Sequence, residues 1–291
     1  MGDLSRGLEN VPVLCEDGTE PPEFQYTSEH VVGPGAELDP TEVTFPGCSC
    51  RTLPCLEGTC QCLCYGNNYE SMCLRSNTSG TSSRPVFECN IMCSCNELCS
   101  NRLVQHGLQT HLQVFRTAKK GWGVRPLEPV PKGRFVCEYA GEVVGFHEAL
   151  RRIKLQQPWD SNYLIAVREH LHSGKVMETF IDPASIGNVG RFLNHSCWPN
   201  LLMVPVRIDS MVPKLALFAT RDIPAGEELC YDYSGRFQNV SGSLSDQKKP
   251  DQDRGPGKPC HCGVETCSGF LPYDADLYCT MCEEASSQNV V

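Results

Sequence analysis

The sequence predicts a mainly β fold with short helices, built from small sheets and flanked by two cysteine-rich, metal-binding segments. Three observations carry that expectation. Short β-rich runs follow one another: Leu112 to Phe115, Arg134 to Val144, Tyr163 to Val167, Val176 to Ile181, Leu201 to Ile208 and Leu215 to Ala219. Gly, Pro and Asp punctuate them, which is the texture of many short strands rather than of alternating strand and helix. One stretch, Phe146 to Gln156, places Phe146, Ala149, Leu150, Ile153 and Leu155 mostly at helical spacing. Finally, the chain has 20 cysteines, clustered between Cys48 and Cys99 and again between Cys260 and Cys282.

Taken in order, residues 1–45 are rich in Pro, Glu and Gly and read as a partly extended N-terminal segment. Residues 46–105 are cysteine-dense with few aliphatics, so they cannot build an ordinary core. Residues 106–235 hold the strands. Residues 236–257 lie in a polar, Gly/Pro-rich stretch and read as a flexible linker. Residues 258–275 carry the second cysteine cluster, and 276–291 form a tail.

The start of the chain has no apolar region of the secretory kind. Gly2 invites lipidation, but Arg6 stands where that motif wants Ser or Thr. No run of about 18 apolar residues is present, so no membrane partner is expected. In a cell interior thiols stay reduced; the clusters therefore read as metal sites, and the sequon at Asn77 as silent. The formal net charge of −10 speaks against bulk nucleic-acid binding, which needs a basic footprint. It suits a cationic partner.

The first cluster reads Cys48-x-Cys50-x4-Cys55-x4-Cys60-x-Cys62, then Cys89-x3-Cys93-x-Cys95-x3-Cys99. Zinc prefers four thiolates. Nine thiolates serve three such sites only if three sulfurs each bridge two metals. Spacing alone does not exclude Cys64 or Cys73 from the set. The second cluster, Cys260-x-Cys262-x4-Cys267, is one ligand short. It is either an open, catalytic zinc or a closed site with a fourth cysteine from elsewhere. Cys279 and Cys282 are two ligands and make no site. Cys15, Cys137 and Cys230 read as plain thiols.

Four further segments complete a pattern: Lys119-Lys120-Gly121-Trp122-Gly123-Val124, Asp160-Ser161-Asn162-Tyr163, Arg191-Phe192-Leu193-Asn194-His195-Ser196-Cys197, and Gly226-Glu227-Glu228-Leu229-Cys230-Tyr231-Asp232-Tyr233. Each is weak alone. In this order, between those cysteine clusters, they resemble the SET-domain histone-lysine methyltransferases of the suppressor-of-variegation-like group. The likeness runs from about Gly47 to Phe270.

The resemblance implies a β-clip core of small sheets with a pseudoknot, flanked by pre-SET and post-SET segments. It implies three zinc ions on the nine pre-SET cysteines, with Cys64 and Cys73 left out, and one zinc on Cys197, Cys260, Cys262 and Cys267. Three zincs with nine thiolates add three negative charges and one zinc with four adds two, taking the chain to about −15. The implied reaction moves a methyl group from S-adenosyl-L-methionine to a lysine amine. Tyr233 resembles the catalytic tyrosine, Tyr231 the position that tunes how many methyl groups fit, and Tyr163 a neighbour of both amine and cofactor. Lys120, Gly121, Trp122, Arg191, Asn194 and His195 resemble cofactor contacts.

The chemistry agrees with those residue types. The nucleophile must be a neutral amine, which an apolar channel favours over the ammonium. Alignment of amine, methyl and sulfur supplies much of the rate. Gly121 permits close backbone approach, and the Trp122 face suits an adenine or a cation. A tyrosine at 231 points to mono- and dimethylation.

The implied partner is the histone H3 tail or another basic, lysine-containing protein, and the implied place is the nucleus, on chromatin. Lysine nine is the usual target of the group; the branch this chain resembles most points to lysines thirty-six and four. Two departures from the pattern are Trp198, where a small or acidic residue is usual, and Cys230. Two other readings compete with this one. A non-enzymatic scaffold would have lost Tyr233, Asn194 or His195, and all are present; a zinc-finger nucleic-acid binder would carry basic residues between its cysteines, and Cys48 to Cys62 holds only Arg51.

Overall fold

The computed structural model describes residues 2–51, 54–75, 85–157, 160–170, 176–234 and 258–272. Asn77, the linker 236–257, Cys279, Cys282 and the tail lie outside the described residues.

A run as apolar as Leu215-Ala216-Leu217-Phe218-Ala219 needs cover on both faces. Lys214–Ala219 (β15) obtains it as an inner strand. It pairs antiparallel with Leu201–Arg207 (β14) and with Phe135–Glu138 (β9). Val86–Phe87 (β6) adds to the outer side of β14 in parallel.

The strand expected over 134–144 is in fact two strands in different sheets. Gly141–Val144 (β10) leaves β9 to pair with Val176–Gly187 (β12). Asn188 holds the break between them. Its amide donates to the Glu138 carbonyl (2.8 Å), and its Oδ1 accepts from the amides of Ala140 (3.2 Å) and Gly190 (3.0 Å). A Cβ at Gly141 would stand 2.7 Å from the Pro183 backbone, so the crossing requires glycine. Sequence periodicity carries no trace of a side chain that holds a bend from 48 residues away.

Ile165–His170 (β11) pairs antiparallel with β12. It starts at Ile165 rather than Tyr163 because Asn162 Oδ1 accepts from the Leu164 amide (3.2 Å), a local turn that competes with the strand. β12 runs past Ile181 to Gly187 by changing partners, since Ile186 and Gly187 pair with Gln25–Tyr26 (β2).

The helix Phe146–Leu155 (α1) buries Ala149, Leu150 and Ile153. Glu148 in its first turn and Arg152 and Lys154 in its last match the helix dipole. Arg152 then reaches off the helix to Glu142 on β10 (2.9 Å) and Asp182 on β12 (2.8 Å), clamping α1 to the sheet.

Three short strands form in the N-terminal segment, and each joins the core. Val13–Cys15 (β1) runs parallel to Leu112–Arg116 (β7), which pairs antiparallel with Trp122–Pro126 (β8). Val31–Val32 (β3) runs parallel to β10. Val13 is fully enclosed.

The pre-SET segment, in which Tyr69–Glu70 (β4) pairs antiparallel with Cys73–Leu74 (β5), has a core of sulfur. Cys48, Cys55, Cys60, Cys89, Cys95 and Cys99 are buried together, and among the described residues Leu63 is the one buried aliphatic side chain with them. At the other end of the fold, Asn194–His195 (β13) pairs in parallel with Cys230–Tyr231 (β16). No helix among the described residues is long and apolar enough to cross a membrane.

Candidate active site and metal centres

The nine pre-SET thiols converge. Three overlapping sets have their sulfurs within 4.8 Å of one another: Cys48, Cys62, Cys89 and Cys93; Cys48, Cys50, Cys55 and Cys60; and Cys48, Cys55, Cys89 and Cys95. Cys99 Sγ lies 3.9 Å from Cys89 Sγ. Cys48, Cys55 and Cys89 recur between sets, and all three are buried at the centre. Shared sulfurs are what bridging requires, so the donor set fits a multinuclear thiolate site.

A second convergence joins residues far apart in sequence. Cys197, Cys260, Cys262 and Cys267 also bring their sulfurs within 4.8 Å. Cys197 thus supplies the fourth donor, and four thiols in this space fit a closed, structural zinc rather than an open one. Cys64 is exposed, Cys73 half-buried, and Cys15, Cys137 and Cys230 buried; none belongs to these sets. Trp198 follows Cys197 with 72% of its surface exposed.

The β13–β16 pairing sets Asn194 opposite Cys230 and His195 opposite Tyr231, and the Ser196 amide donates to the Tyr231 carbonyl (3.1 Å). This brings the two C-terminal motifs into one site. The Tyr231 ring centroid lies 4.9 Å from that of Tyr233 and 6.1 Å from that of Tyr139. Tyr233 keeps 37% of its surface exposed, and its hydroxyl donates to the Leu193 carbonyl (2.8 Å). Tyr139 donates to the carbonyl of Tyr163 (2.5 Å).

Burial raises the pKa of all three phenols. Tyr139 and Tyr233 reinforce it at Tyr231, Tyr233 and Asp182 at Tyr139, and Cys230 and Tyr163 at Tyr233. They stay protonated at neutral pH and act as dipoles, not as bases. Burial also lowers the pKa of His195, against the pull of Asp232 at 3.7 Å. The ring is neutral and enclosed, so it is a poor general base for this site.

A cavity of about 470 Å³ lies between the β7–β8 turn, the Gly226–Glu228 segment and the post-SET segment. Phe115 to Lys120, Gly226, Glu228, His261 and Cys262 line it, joining the β7–β8 turn to the post-SET segment. Gly121 turns that loop with φ of +76°, a value that favours glycine. Lys120 Nζ pairs with Glu228 Oε2 (2.6 Å), and Asn194 Nδ2 donates to Glu228 Oε1 (2.9 Å) and to the Trp122 carbonyl (2.7 Å). Both amide hydrogens of Asn194 are committed to the protein, so it braces the loop. Trp122 is half-buried under the Arg116 guanidinium (4.6 Å). Arg191 lies deeper. It donates to the Pro183 and Ala184 carbonyls (both 3.0 Å) and stacks on the rings of Phe24 (4.4 Å) and Tyr163 (4.7 Å).

A SET domain profile matches residues 121–234, and a Pre-SET motif profile matches residues 5–102. Histone-lysine N-methyltransferase SETMAR of Bos taurus is 61% identical over 280 residues, covering 95% of this chain and 91% of that protein. The crystal structure of the methyltransferase domain of human SETMAR superposes with a TM-score of 0.84 at 56% identity, covering 94% of this chain and 98% of that one. The chain belongs to the SET-domain histone-lysine methyltransferases. Arabidopsis thaliana SUVH6, solved in complex with S-adenosylmethionine, superposes at a TM-score of 0.72 and 32% identity over 93% of this chain and 55% of that one. It is an S-adenosylmethionine-dependent fold, and the activity that goes with it is lysine methylation.

For this methyltransferase the structure brings Tyr231, Tyr233, Asn194 and His195 together through the β13–β16 pairing, and Asn194 meets Lys120 through Glu228 and Trp122 through its carbonyl; of these residues Lys120 lines the cavity. The Tyr163 carbonyl accepts from Tyr139, and Arg191 stacks on the Tyr163 ring. Three participants went unremarked in the sequence. Tyr139 completes the phenol cluster; the signal for it was an aromatic next to Ala-Gly at the end of β9. Glu228 links Lys120 to Asn194 from within a quoted motif. Asn200 braces the far side, donating to Glu227 (2.7 Å) and to the Glu228 carbonyl (2.9 Å) and accepting from the Cys230 amide (2.8 Å).

Proposed function

We propose that this chain methylates a lysine of the histone H3 tail in the nucleus, adding one or two methyl groups. Lysine thirty-six and lysine four are the targets favoured by the branch it resembles; lysine nine is the option common to the group. The observation that carries the reading is the parallel pairing of β13 with β16, which sets the Asn194–His195 pair beside Tyr231 and Tyr233.

S-adenosylmethionine supplies an electrophilic methyl on a sulfonium when bound. Everything else is positioning by the chain. The cavity lined by Thr117 to Lys120, Glu228 and His261 would hold the cofactor, with Asn194 and Glu228 keeping the loop in place. The phenols of Tyr139, Tyr231 and Tyr233 would receive the amine. Being neutral, they do not favour an ammonium, and their desolvated surroundings shift lysine toward the free amine. A hydroxyl aimed at the site, preorganised before reaction, costs no reorganisation during it. Tyr231 narrows the site by its hydroxyl, which restricts rotation of a dimethylated amine. The nine pre-SET cysteines hold three zinc ions and the post-SET four hold one, bracing the catalytic residues 106–235 from both sides.

The test uses full-length zinc-loaded protein, tritiated S-adenosylmethionine and histone H3 peptides, followed by mass spectrometry of methylation state. Transfer by the unmodified chain, lost about 100-fold or more in Tyr233→Phe with unchanged melting temperature, supports the function. Absence of transfer to every histone peptide and to core histones refutes it.

A further inference from the structure

His195 is 4% exposed, and both of its ring nitrogens have partners. Nδ1 lies 3.2 Å from the backbone nitrogen of Tyr233, a group that can only donate. Nδ1 therefore accepts, and in a neutral ring the proton sits on Nε2. Nε2 lies 3.4 Å from Cys197 Sγ, within reach of an N–H to sulfur hydrogen bond. Asp232 Oδ1, at 3.7 Å, faces the unprotonated nitrogen and cannot accept from it. One imidazole thus touches a sulfur of the post-SET thiol set on one side and the main chain of Tyr233 on the other.

We propose that His195 is a positioning residue whose Nε2–H orients the Cys197 thiolate of the post-SET zinc while its Nδ1 fixes the backbone of Tyr233, so that one ring sets both. The inference rests on the readings of Tyr233 and of the four-cysteine site given above. A donor to a metal-bound thiolate spreads its charge and fixes its direction. The ring cannot drift, because the His195–Tyr231 register and the Ser196 amide hold its backbone. The Tyr233 side chain is pinned at its other end by the Leu193 carbonyl (2.8 Å). A displaced Cys197 would therefore be transmitted to the tyrosine rather than absorbed. Simple packing of the imidazole against Tyr233, at 5.4 Å between centroids, predicts no such link.

Two substitutions divide the ring into its halves. In His195→Asn the side-chain oxygen stands near the place of Nδ1 and keeps the acceptor for Tyr233, while the donor to Cys197 is lost. In His195→Gln the side-chain amide reaches the place of Nε2 and keeps that donor, while the acceptor is lost. Full-length zinc-loaded protein is mixed with a chromophoric chelator, and zinc release is followed beside kcat and KM. His195→Asn is expected to release one zinc about 10–100-fold faster than the unmodified chain, the cost of losing an outer-shell partner. Its lost activity returns when zinc is added. His195→Gln is expected to release zinc at the unmodified rate and to lose kcat, with no recovery on adding zinc. Identical behaviour of the two variants overturns the proposal, as does an unchanged release rate in His195→Asn. Should neither variant fold, nitrogen-15 NMR of the imidazole in the unmodified chain decides: protonation at Nε2 supports the link and protonation at Nδ1 overturns it. Failure of histone methylation by the unmodified chain would refute the function instead, and zinc release and tautomer would still judge the bond between His195 and Cys197.

Discussion

Removing Cys89 should cost this protein far more than removing Cys50, although both are cysteines of the same cluster. Cys89 is fully enclosed and recurs in two of the overlapping thiol sets, whereas Cys50 is half-buried and belongs to one. On the bridged reading proposed above, loss of Cys50 would leave one metal a ligand short and loss of Cys89 two. The energetic stakes follow from the core. Leu63 is the one aliphatic side chain buried with the thiols, worth roughly 1.5–3 kcal/mol. A structural zinc contributes about 10 kcal/mol or more, comparable to the whole stability of a domain, about 5–15 kcal/mol. On the zinc reading proposed above, metal rather than apolar burial holds the thiol core, while Val86, Leu103 and Val104 of the same segment are buried against β9, β14 and β15. Cys50→Ser is therefore expected to fold with weakened zinc and a lowered melting temperature. Cys89→Ser is expected to lose the pre-SET zinc altogether and keep only the post-SET ion. Metal content by atomic emission, read beside circular dichroism, measures both. Equal zinc loss in the two variants, or fewer than three pre-SET zincs in the unmodified chain, would refute the bridged arrangement.

Tyr231→Phe removes a hydroxyl from the enclosed phenol cluster and frees room approaching that of a water, about 30 Å³; methylation-state mass spectrometry should show product moving toward trimethyl-lysine. Arg152→Ala strands Glu142 and Asp182, both buried; breaking a buried pair costs about 3–5 kcal/mol, read as a lowered midpoint in urea. The Glu9 carboxyl is raised from 4.5 to about 7 by burial, with Glu138 adding to it and the Tyr26 hydroxyl opposing. The fold thus holds this proton more tightly than the unfolded chain, so stability present below pH 4.5 is lost as pH rises to about 7. Glu9→Gln removes that dependence. Its melting temperature relative to the unmodified chain should climb between those pH values and then level off, and a flat difference across the range would show that Glu9 is not buried as described.

The parts of this molecule that were legible in the sequence share one property: their signal is local. The amphipathic spacing of Phe146 to Leu155 and the apolar run of β15 each declare themselves within a few residues. The cysteine clusters do so by spacing too, although the choice of nine and the joining of Cys197 to Cys260, Cys262 and Cys267 came from resemblance. What stayed hidden depends on partners far along the chain. The break between β9 and β10 is made by Asn188, and the start of β11 by a side-chain turn at Asn162. The N-terminal strands, two or three residues each, are too short to show a period, and only pairing with β7, β10 and β12 makes them strands. Glu228 was quoted inside a motif but given no role, because the residues it joins, Lys120 and Asn194, stand in two other segments.

The same arrangement resolves an electrostatic conflict in the proposed reaction. A net charge of −10 draws a cationic tail toward the protein, yet transfer requires that the arriving lysine give up its charge. Attraction and deprotonation would oppose each other if the acidic groups reached the amine. Two of them are matched, Glu228 by Lys120 (2.6 Å) and Asp182 by Arg152 (2.8 Å); Asp232 stands 3.7 Å from the neutral His195, which does not neutralise it. What the cleft presents at the tyrosine cluster is protonated phenols and backbone carbonyls. Long-range charge gathers the substrate, and the neutral phenols select the free amine. Raising the ionic strength should therefore raise KM for a histone peptide, by screening the attraction, while leaving kcat nearly unchanged.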